Sequence, residues 1–221
     1  VLTIEDINFN IVTFTETMLR RYDNDGFVQI VTIPQYTDVT IDSTLTARDW
    51  DGSSGGILAM EASGTVTFNS DINVTGKGFR GGGLLNNAGC YGAGAGYDGY
   101  RCAEADECGA EKGEGIIGDV SGIELGRGAP ANGGGGGNSH NTGGGGGSNN
   151  GTGGQGGERT NVAATDCQGL NPGLGGHALT YSNAENRIFM GGGGGAGDQN
   201  SNQGTLGLSL IHISEPTRLD D

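Results

Sequence analysis

Residues 133–157 read GGGGGNSHNTGGGGGSNNGTGGQGG, so that runs of glycine recur at a spacing of ten residues. A fourth run, Gly191–Gly195, follows later in the chain. Of the 49 glycines, 44 lie within positions 76–207, where one residue in three therefore has no side chain. Glycine loses more backbone entropy on folding than any other residue, so such a segment is either unfolded or held by an unusual backbone network. That choice decides the fold of this part of the chain.

The apolar residues divide the chain into two parts. Residues 1–75 contain 23 Leu, Ile, Val or Phe residues, which is enough for a packed core, whereas residues 76–207 contain only 15. Large aliphatic and aromatic side chains dominate ordinary protein cores, so the second part needs another source of order. We therefore predict a β-rich N-terminal part at 1–75 and a glycine-rich, cysteine-containing domain at 76–207.

The net charge of −15 excludes some classes of partner. A strongly negative surface repels phosphate backbones and anionic lipid headgroups, so we expect no nucleic-acid partner. The chain also has no apolar run near the roughly 18–20 residues that a membrane-spanning helix needs. We therefore expect no membrane insertion.

The N-terminal part has the pattern of a mainly β structure. Apolar and polar residues alternate, and Thr, Val and Ile are frequent, which is typical of strands. Residues Asp23–Gly26 would join two strands as a hairpin turn. The short strands that follow suit either a β-sandwich or a short parallel β-helix, and both alternatives remain open at this point. The predicted strands are Phe9–Phe14, Thr17–Tyr22, Phe27–Ile33, Val39–Ile41, Ile57–Ala62, Thr65–Phe68 and Ile72–Val74.

The glycine runs predict adjacent rods rather than a flexible linker. Aromatic and aliphatic residues interrupt the glycines of 76–130, which is not typical of Gly/Ser linkers. In a polyglycine II-like form, at about 3.1 Å per residue, chains without Cβ atoms approach closely enough for N–H groups to reach neighbouring carbonyls. Five-residue polar turns separate the runs at 133–137, 143–147 and 153–157, so successive rods should be antiparallel. Gly191–Gly195 is the expected fourth member, and a linker is the alternative.

All four cysteines lie in the glycine-rich part. They are Cys90, Cys102, Cys108 and Cys167. An even number of cysteines in a segment that lacks a core predicts disulfides and an oxidising compartment. The spacing does not form the CxxC pairs of common zinc sites. Of the three possible connectivities, we favour Cys102–Cys108 with Cys90–Cys167, and we expect a short helical turn around 102–108.

No motif in the sequence indicates catalysis. Gly94–Gly99 satisfies GxGxxG, but neither a strand nor a helix is predicted beside it, as a dinucleotide site would require. His140 and His177 lie in polar or glycine-rich surroundings and belong to no nucleophile or metalloprotease motif. The acidic residues within 104–107 are interpreted as a solvated loop. We therefore predict no catalytic residue, no cofactor and no enzyme activity.

Calcium binding is left open as an alternative. Asp23–Gly26 resembles part of a calcium loop, but Arg21 stands where the first carboxylate ligand would be, so a hairpin turn is the preferred interpretation. Gly194–Asp198 falls one residue short of the calcium-binding nonapeptide GGxGxD. Acidic and amide side chains in loops could still bind calcium, and the negative surface favours it.

Several stretches resemble glycine-rich secreted or surface proteins of the Bacteroidetes type, which are associated with gliding motility and type IX secretion. They are Trp50–Met60, Val74–Gly82, Gly126–Asn132 and Ile188–Gly197. The resemblance covers about residues 45–207, and no sorting domain is included. More remotely, the runs resemble the polyglycine sandwiches of some phage tail adhesins and of a receptor-kinase ectodomain.

The resemblance implies an extracellular or cell-surface, adhesin-like structural module that presents polar loops. Its expected partners are surface glycans or other cell-surface proteins. Two alternatives remain: a fragment of a β-helix polysaccharide-active enzyme, and a phage-type receptor-binding tip. The enzyme would need two carboxylates that converge on one groove.

Neither end of the chain has the features of a natural terminus. The sequence opens at Val1 without a signal peptide, so we expect further residues upstream. Residues 208–218 read LSLIHISEPTR, which resembles the translation of a transposon-type sequencing adapter. We therefore interpret 208–221 as a non-native tail on an assembled environmental fragment.

Deleting residues 208–221 should leave the melting temperature unchanged or slightly higher, because an adapter-derived tail was never selected to pack. Thermal unfolding of the full chain and of the 1–207 variant, followed by circular dichroism, measures this. A fall of several degrees in the shortened protein would show that the tail belongs to the fold.

Overall fold

The computed structural model describes most of the chain and shows a mainly β, non-helical protein. The described residues are 2–18, 21, 28–83, 99–101, 109–117, 120–138, 142–158, 171–180 and 189–198. Within these ranges there is no helix, and six short strands pair into three two-stranded sheets. Such small sheets define neither a sandwich nor a β-helix. The four cysteines, the helical turn predicted at 102–108, the turn Asp23–Gly26 and the tail 208–221 lie outside the described residues.

The first sheet is an antiparallel hairpin of β1 (Ile4–Asn8) and β2 (Ile11–Phe14). The sequence predicted one strand over Phe9–Phe14, and this was wrong at its start, because Phe9 lies in the turn with a φ of 54°. Apolar residues continue to alternate through the turn, so the pattern alone does not mark it. Phe9 is 98% exposed at the tip of the hairpin.

The other two sheets are parallel and share one sequence offset. Their strands are β3 (Gln35–Tyr36), β4 (Val39–Ile41), β5 (Glu61–Ala62) and β6 (Val66–Phe68). β3 pairs with β5 and β4 with β6, so that Gln35 lies opposite Glu61 and Val39 opposite Val66. An isolated parallel bridge, Leu45 to Ile72, continues the same register. One stretch of chain thus lies alongside the stretch that begins 26 or 27 residues later.

Side chains follow the same offset and reinforce the parallel pairing. The Asn69 amide donates to Asp42 over 2.8 Å, and the Gln35 amide donates to Glu61 over 3.1 Å. The side chain of Gln29 donates to the Gly55 carbonyl and accepts the Gly55 N–H. The bonds at Asn69 and Gln29 link the two stretches beyond the ends of the paired strands, and the bond at Gln35 lies within the β3–β5 pair.

Only part of the predicted strand set forms strands. Val39–Ile41 is confirmed, Thr65–Phe68 is confirmed from position 66, and Ile57–Ala62 keeps only its last two residues. Ile72–Val74 is reduced to the single bridge at Ile72. The described residues of Thr17–Tyr22 and Phe27–Ile33 contain no strand. Strand formation depends on a partner as much as on propensity, so alternation within one stretch does not by itself predict which stretches pair.

The glycine-rich part consists of segments that contain no helix and no named strand. We call them segment I (109–115), segment II (132–138), segment III (142–149), segment IV (153–157), segment V (171–179) and segment VI (189–198). The described residues bury few large apolar side chains, and Leu125 is one of these few. Hydrogen bonds between backbones therefore hold the segments together.

Segment II donates its hydrogen bonds with a period of three residues. Gly134 and Gly137 donate to segment VI, at 2.8 and 2.9 Å. Gly135 and Asn138 donate to segment V, at 2.8 and 2.9 Å. Gly136, between them, donates to the carbonyl of Gly126. Successive N–H groups thus point toward three different neighbours, unlike the alternation of two in a β-strand.

Segment III repeats this periodicity on its carbonyl side. The carbonyls of Thr142, Gly145 and Ser148 accept from segment VI. The carbonyls of 143, 146 and 149 accept from segment V. The N–H groups of 143 and 146 donate to segment IV. Each neighbour is therefore contacted at every third residue.

Successive glycine runs lie side by side in opposite directions, as the sequence predicted. Between segments II and III, Gly145 donates to Gly135 and Ser148 donates to Asn132. Between segments III and IV, Gly143 donates to 157 and Gly146 to 154. In both pairs the partner number falls as the donor number rises, which defines an antiparallel arrangement.

Glycine is sterically required at the centre of this arrangement. A Cβ atom on Gly135 would overlap the carbonyl oxygen of Arg127, and one on Gly145 would overlap that of Leu174. Real Cβ atoms do not approach backbone oxygens so closely, so these glycines permit the spacing between segments. The predicted close approach of backbones is present at both positions.

Candidate functional site

A junction joins the β-rich part to segment I. Glu114 accepts hydrogen bonds from the Trp50 indole N–H at 2.9 Å and from the Arg80 N–H at 2.8 Å. Its other oxygen accepts from the Arg80 guanidinium, Nε lying 2.7 Å away, and this hydrogen bond raises the pKa of Arg80. The ring of Trp50 meets Phe79 edge to face, with centroids 5.3 Å apart. Trp50, Phe79 and Arg80 belong to stretches that carry the resemblance, whereas no motif pointed to Glu114.

The loop after Trp50 is shaped by an acidic side chain and by glycines. Asp51 Oδ1 accepts the N–H groups of Ser54 and Ser53, at 2.8 and 2.9 Å, and these bonds lower the pKa of Asp51. Gly55 has a φ of 101°, and a Cβ there would overlap the Asp49 carbonyl. The polar residues of this loop stabilise a turn, which is a structural role.

The glycine segments end in buried polar side chains, and one end is fully paired. We call this end the first polar layer, formed by Asn132, Ser148 and Asn149. The Asn132 amide donates to the carbonyls of Met190 and Ser148, at 3.0 and 3.3 Å, and its oxygen accepts the Ile116 N–H at 2.8 Å. Asn149 donates to a segment VI carbonyl at 2.9 Å. Because glycine has no side chain, the buried amides of this layer supply the hydrogen-bond donors for the backbone carbonyls at this end.

The opposite end forms a second polar layer of Asn138, Thr142, Asn171 and Asp198. The Asn138 N–H donates to the Asn171 carbonyl at 2.9 Å, and the Asp198 N–H donates to the Thr142 carbonyl at 3.0 Å. The Thr142 hydroxyl lies 3.4 Å from the same Asn171 oxygen. Segments II, III, V and VI therefore meet here through oxygen-rich groups.

Asp198 is the electrostatic anomaly of the second polar layer. It is 5% exposed, and no described residue is a hydrogen-bond partner of either carboxylate oxygen. Burial disfavours the charged form and raises the pKa of Asp198 to about 7. The sequence singled out Gly194–Asp198 as a near match to a calcium motif, but it gave no indication that the carboxyl would be buried.

A second buried charge lies in segment I. Lys112 is 8% exposed, and burial lowers the pKa of its ammonium group to about 8. The unfolded chain holds this proton up to its ordinary pKa of 10.5, so the folded protein should gain stability as pH rises from about 8 to 10.5.

Replacing Lys112 with methionine should therefore stabilise the protein at pH 7, by roughly 3 kcal/mol if the whole shift acts on stability. The advantage should shrink steadily between pH 8 and pH 10.5, where the wild-type lysine becomes neutral in both states. Urea unfolding of both proteins at several pH values measures the difference in their free energies of unfolding. Groups that titrate equally in the two proteins do not contribute to this difference. An advantage that does not change with pH would show that Lys112 is not a buried cation.

Most residues considered from the sequence are not brought together into a reactive group. His177 is exposed, and its backbone N–H donates to the Ala131 carbonyl at 2.7 Å. His140, the acidic stretch 104–107 and all of Gly94–Gly99 except its last residue lie outside the described part of the chain. Among the residues that are described, no three His, Cys, Asp or Glu side chains gather in a way that could hold a metal ion.

Comparison with protein-family models, with curated proteins and with solved structures found no match. Across the described ranges, no helix is long and apolar enough to cross a membrane. The functional argument therefore depends on this chain's own backbone network, charges and polar layers.

Proposed function

We propose that this chain is part of an extracellular, adhesin-like structural module of a large bacterial surface protein. Its role is passive: a stiff scaffold that presents polar loops to surface glycans or other cell-surface proteins, without catalysis. The observation that carries the proposal is the backbone hydrogen-bond network of segments II to VI, which repeats every three residues.

A period of three supports polyglycine II-like rods. A helix with three residues per turn directs successive N–H groups to three sides and returns to the same side at every third residue. An α-helix has 3.6 residues per turn and bonds internally, and a strand alternates with a period of two. Donation from segment II to segments VI, V and the Gly126 carbonyl fits the threefold form.

The constant offset of the N-terminal part supports a short parallel β-helix rather than a sandwich. In a β-helix, successive coils stack in parallel with a nearly constant number of residues per coil. The pairs Gln35–Glu61, Val39–Val66 and Leu45–Ile72 follow this rule. The Trp50 N–H donates to the Lys77 carbonyl at 3.0 Å, which extends the offset of 27 residues to the junction at Glu114.

The extracellular setting is supported by three features of the chain. The surface is strongly acidic, the cysteine number is even, and the quoted stretches resemble secreted glycine-rich proteins. A network of backbone bonds between segments would resist proteases, because cleavage requires a locally unfolded chain. Such resistance suits a scaffold outside the cell.

Limited digestion with a broad-specificity protease tests the scaffold. If the rods exist, digestion of the native protein should spare 133–137 and 143–147 long after exposed loops are cut, as mass spectrometry of the fragments would show. Because glycine runs are poor protease substrates even when unfolded, the urea-unfolded protein is digested in parallel, and equal cleavage of 133–157 in the native and unfolded protein would overturn the structural role.

A glycan array combined with a reducing-sugar assay tests the adhesive role. The proposal predicts retention on a set of surface glycans without release of reducing ends. Release of reducing ends would support a polysaccharide-active enzyme instead. If no glycan on the array retained the protein, glycans would no longer be among the proposed partners.

A further inference from the structure

The two polar layers are built alike but differ in their charge. In the first polar layer, Asn132 and Asn149 donate amide hydrogens to backbone carbonyls. In the second polar layer, Asp198 adds two buried oxygens that can accept hydrogen bonds but have no donor within the described part of the chain. An ionised carboxylate is an acceptor only, so this layer has an excess of oxygen atoms.

An uncompensated buried carboxylate needs a positive partner. No lysine or arginine among the described residues forms an ion pair with Asp198. Oxygens gather around the backbone of this layer: the Asp198 N–H donates to the Thr142 carbonyl, and the Thr142 hydroxyl lies beside the Asn171 carbonyl. A cation can satisfy several such oxygens at once, whereas a proton satisfies one.

We propose that the second polar layer binds a hard divalent cation, for which Ca²⁺ is the best fit. Asp198 supplies the negative charge, and Asn138, Thr142 and Asn171, at the ends of the segments that meet in this layer, would supply neutral oxygens. Ca²⁺ accepts flexible sets of carboxylate, amide and carbonyl oxygens, while Mg²⁺ demands a stricter octahedral geometry.

A single carboxylate implies weak binding. Sites with few charged ligands in extracellular modules bind Ca²⁺ with a Kd of roughly 10⁻⁴–10⁻³ M. Bound there, the ion would tie the ends of segments II, III, V and VI together. The inference rests on this layer alone and does not require the proposed adhesive role.

Thermal unfolding of the full chain with and without Ca²⁺ tests the site, with Asp198→Asn as the main variant. At a Ca²⁺ concentration about tenfold above Kd, the wild-type melting temperature should rise by about 3–6 °C. The Asp198→Asn protein should lose this response. Asp71→Asn is the matched control, because Asp71 is exposed and its substitution changes the net charge equally.

Mg²⁺ at the same concentration controls for screening of the net charge of −15. A smaller response to Mg²⁺ than to Ca²⁺ is expected. Equal responses of the wild type and Asp198→Asn, or equal responses to the two ions, would overturn the proposal. If a proton neutralises the carboxylate instead, wild-type stability falls as pH rises through about 7 and Ca²⁺ has no effect, which also overturns it.

A second variant keeps the test decisive if Asp198→Asn does not fold. Thr142→Val removes one neutral oxygen but keeps the charge of Asp198. It should weaken Ca²⁺ binding several-fold in calorimetric titration relative to the wild type. Unchanged calcium affinity in Thr142→Val, together with an undiminished response to Mg²⁺, would contradict a site in this layer.

Discussion

Replacing Gly135 and Gly145 together with alanine should lower the melting temperature by roughly 5–20 °C. The added Cβ atoms would overlap the carbonyl oxygens of Arg127 and Leu174. The segments cannot move apart without lengthening bonds such as that from Gly135 to Leu174, now 2.8 Å. Overpacking costs about 1–3 kcal/mol at each site, and thermal unfolding by circular dichroism or calorimetry measures the sum.

The matched control is alanine at Gly154 and Gly157 in segment IV. Among the described residues, nothing lies within 4 Å of a Cβ placed at either position. Alanine there should stabilise the protein by about 0.4–1 kcal/mol per site, because it restricts the unfolded chain. The two double variants therefore change stability in opposite directions. Equal, small effects in both would mean that the glycine runs do not pack.

Replacing Asn132 with aspartate should cost about 3 kcal/mol or more at neutral pH. Asn132 is fully buried, and its amide donates to the carbonyls of Met190 and Ser148. A carboxylate of the same shape would instead face two carbonyl oxygens and bury a charge. Urea unfolding at pH 7 measures the loss.

Asn150→Asp is the control for Asn132→Asp, because Asn150 is exposed and the substitution adds the same charge. It should change the free energy of unfolding by less than about 0.5 kcal/mol. Part of the loss in Asn132→Asp should be recovered at low pH, where the buried carboxyl is protonated. A loss that is equal in the two variants would show that the first polar layer does not depend on the Asn132 amide.

The sequence predicted local features better than their partners. Val39–Ile41 is a strand as expected, since β-branched residues suit a pleated backbone. The positions of the glycine runs also predicted close, antiparallel neighbours, because five-residue turns allow little else. The turn at Phe9 was missed, since an exposed aromatic residue with positive φ follows no ordinary turn preference.

Long-range contacts account for what the sequence could not predict. Glu114 looks like one of many acidic residues, but it joins Trp50 and Arg80, which lie 64 and 34 residues away in the chain. The importance of Asp198 depends on the fold, which buries the carboxylate away from any hydrogen-bond donor of the described residues. Segment V, centred on Leu174, was not recognised either, because it contains no long glycine run. It belongs to the group of packed segments because it is hydrogen-bonded to segments II and III.

Residue-specific amide hydrogen exchange, measured by NMR on the native protein, tests the central claim most directly. In segment III the N–H groups of 143, 145, 146 and 148 are hydrogen-bonded, whereas the described residues provide no bond to those of 144 and 147. The account predicts slow exchange at the four bonded positions and fast exchange at 144 and 147, a period of three. Alternation with a period of two, or uniformly fast exchange across 143–148, would contradict it.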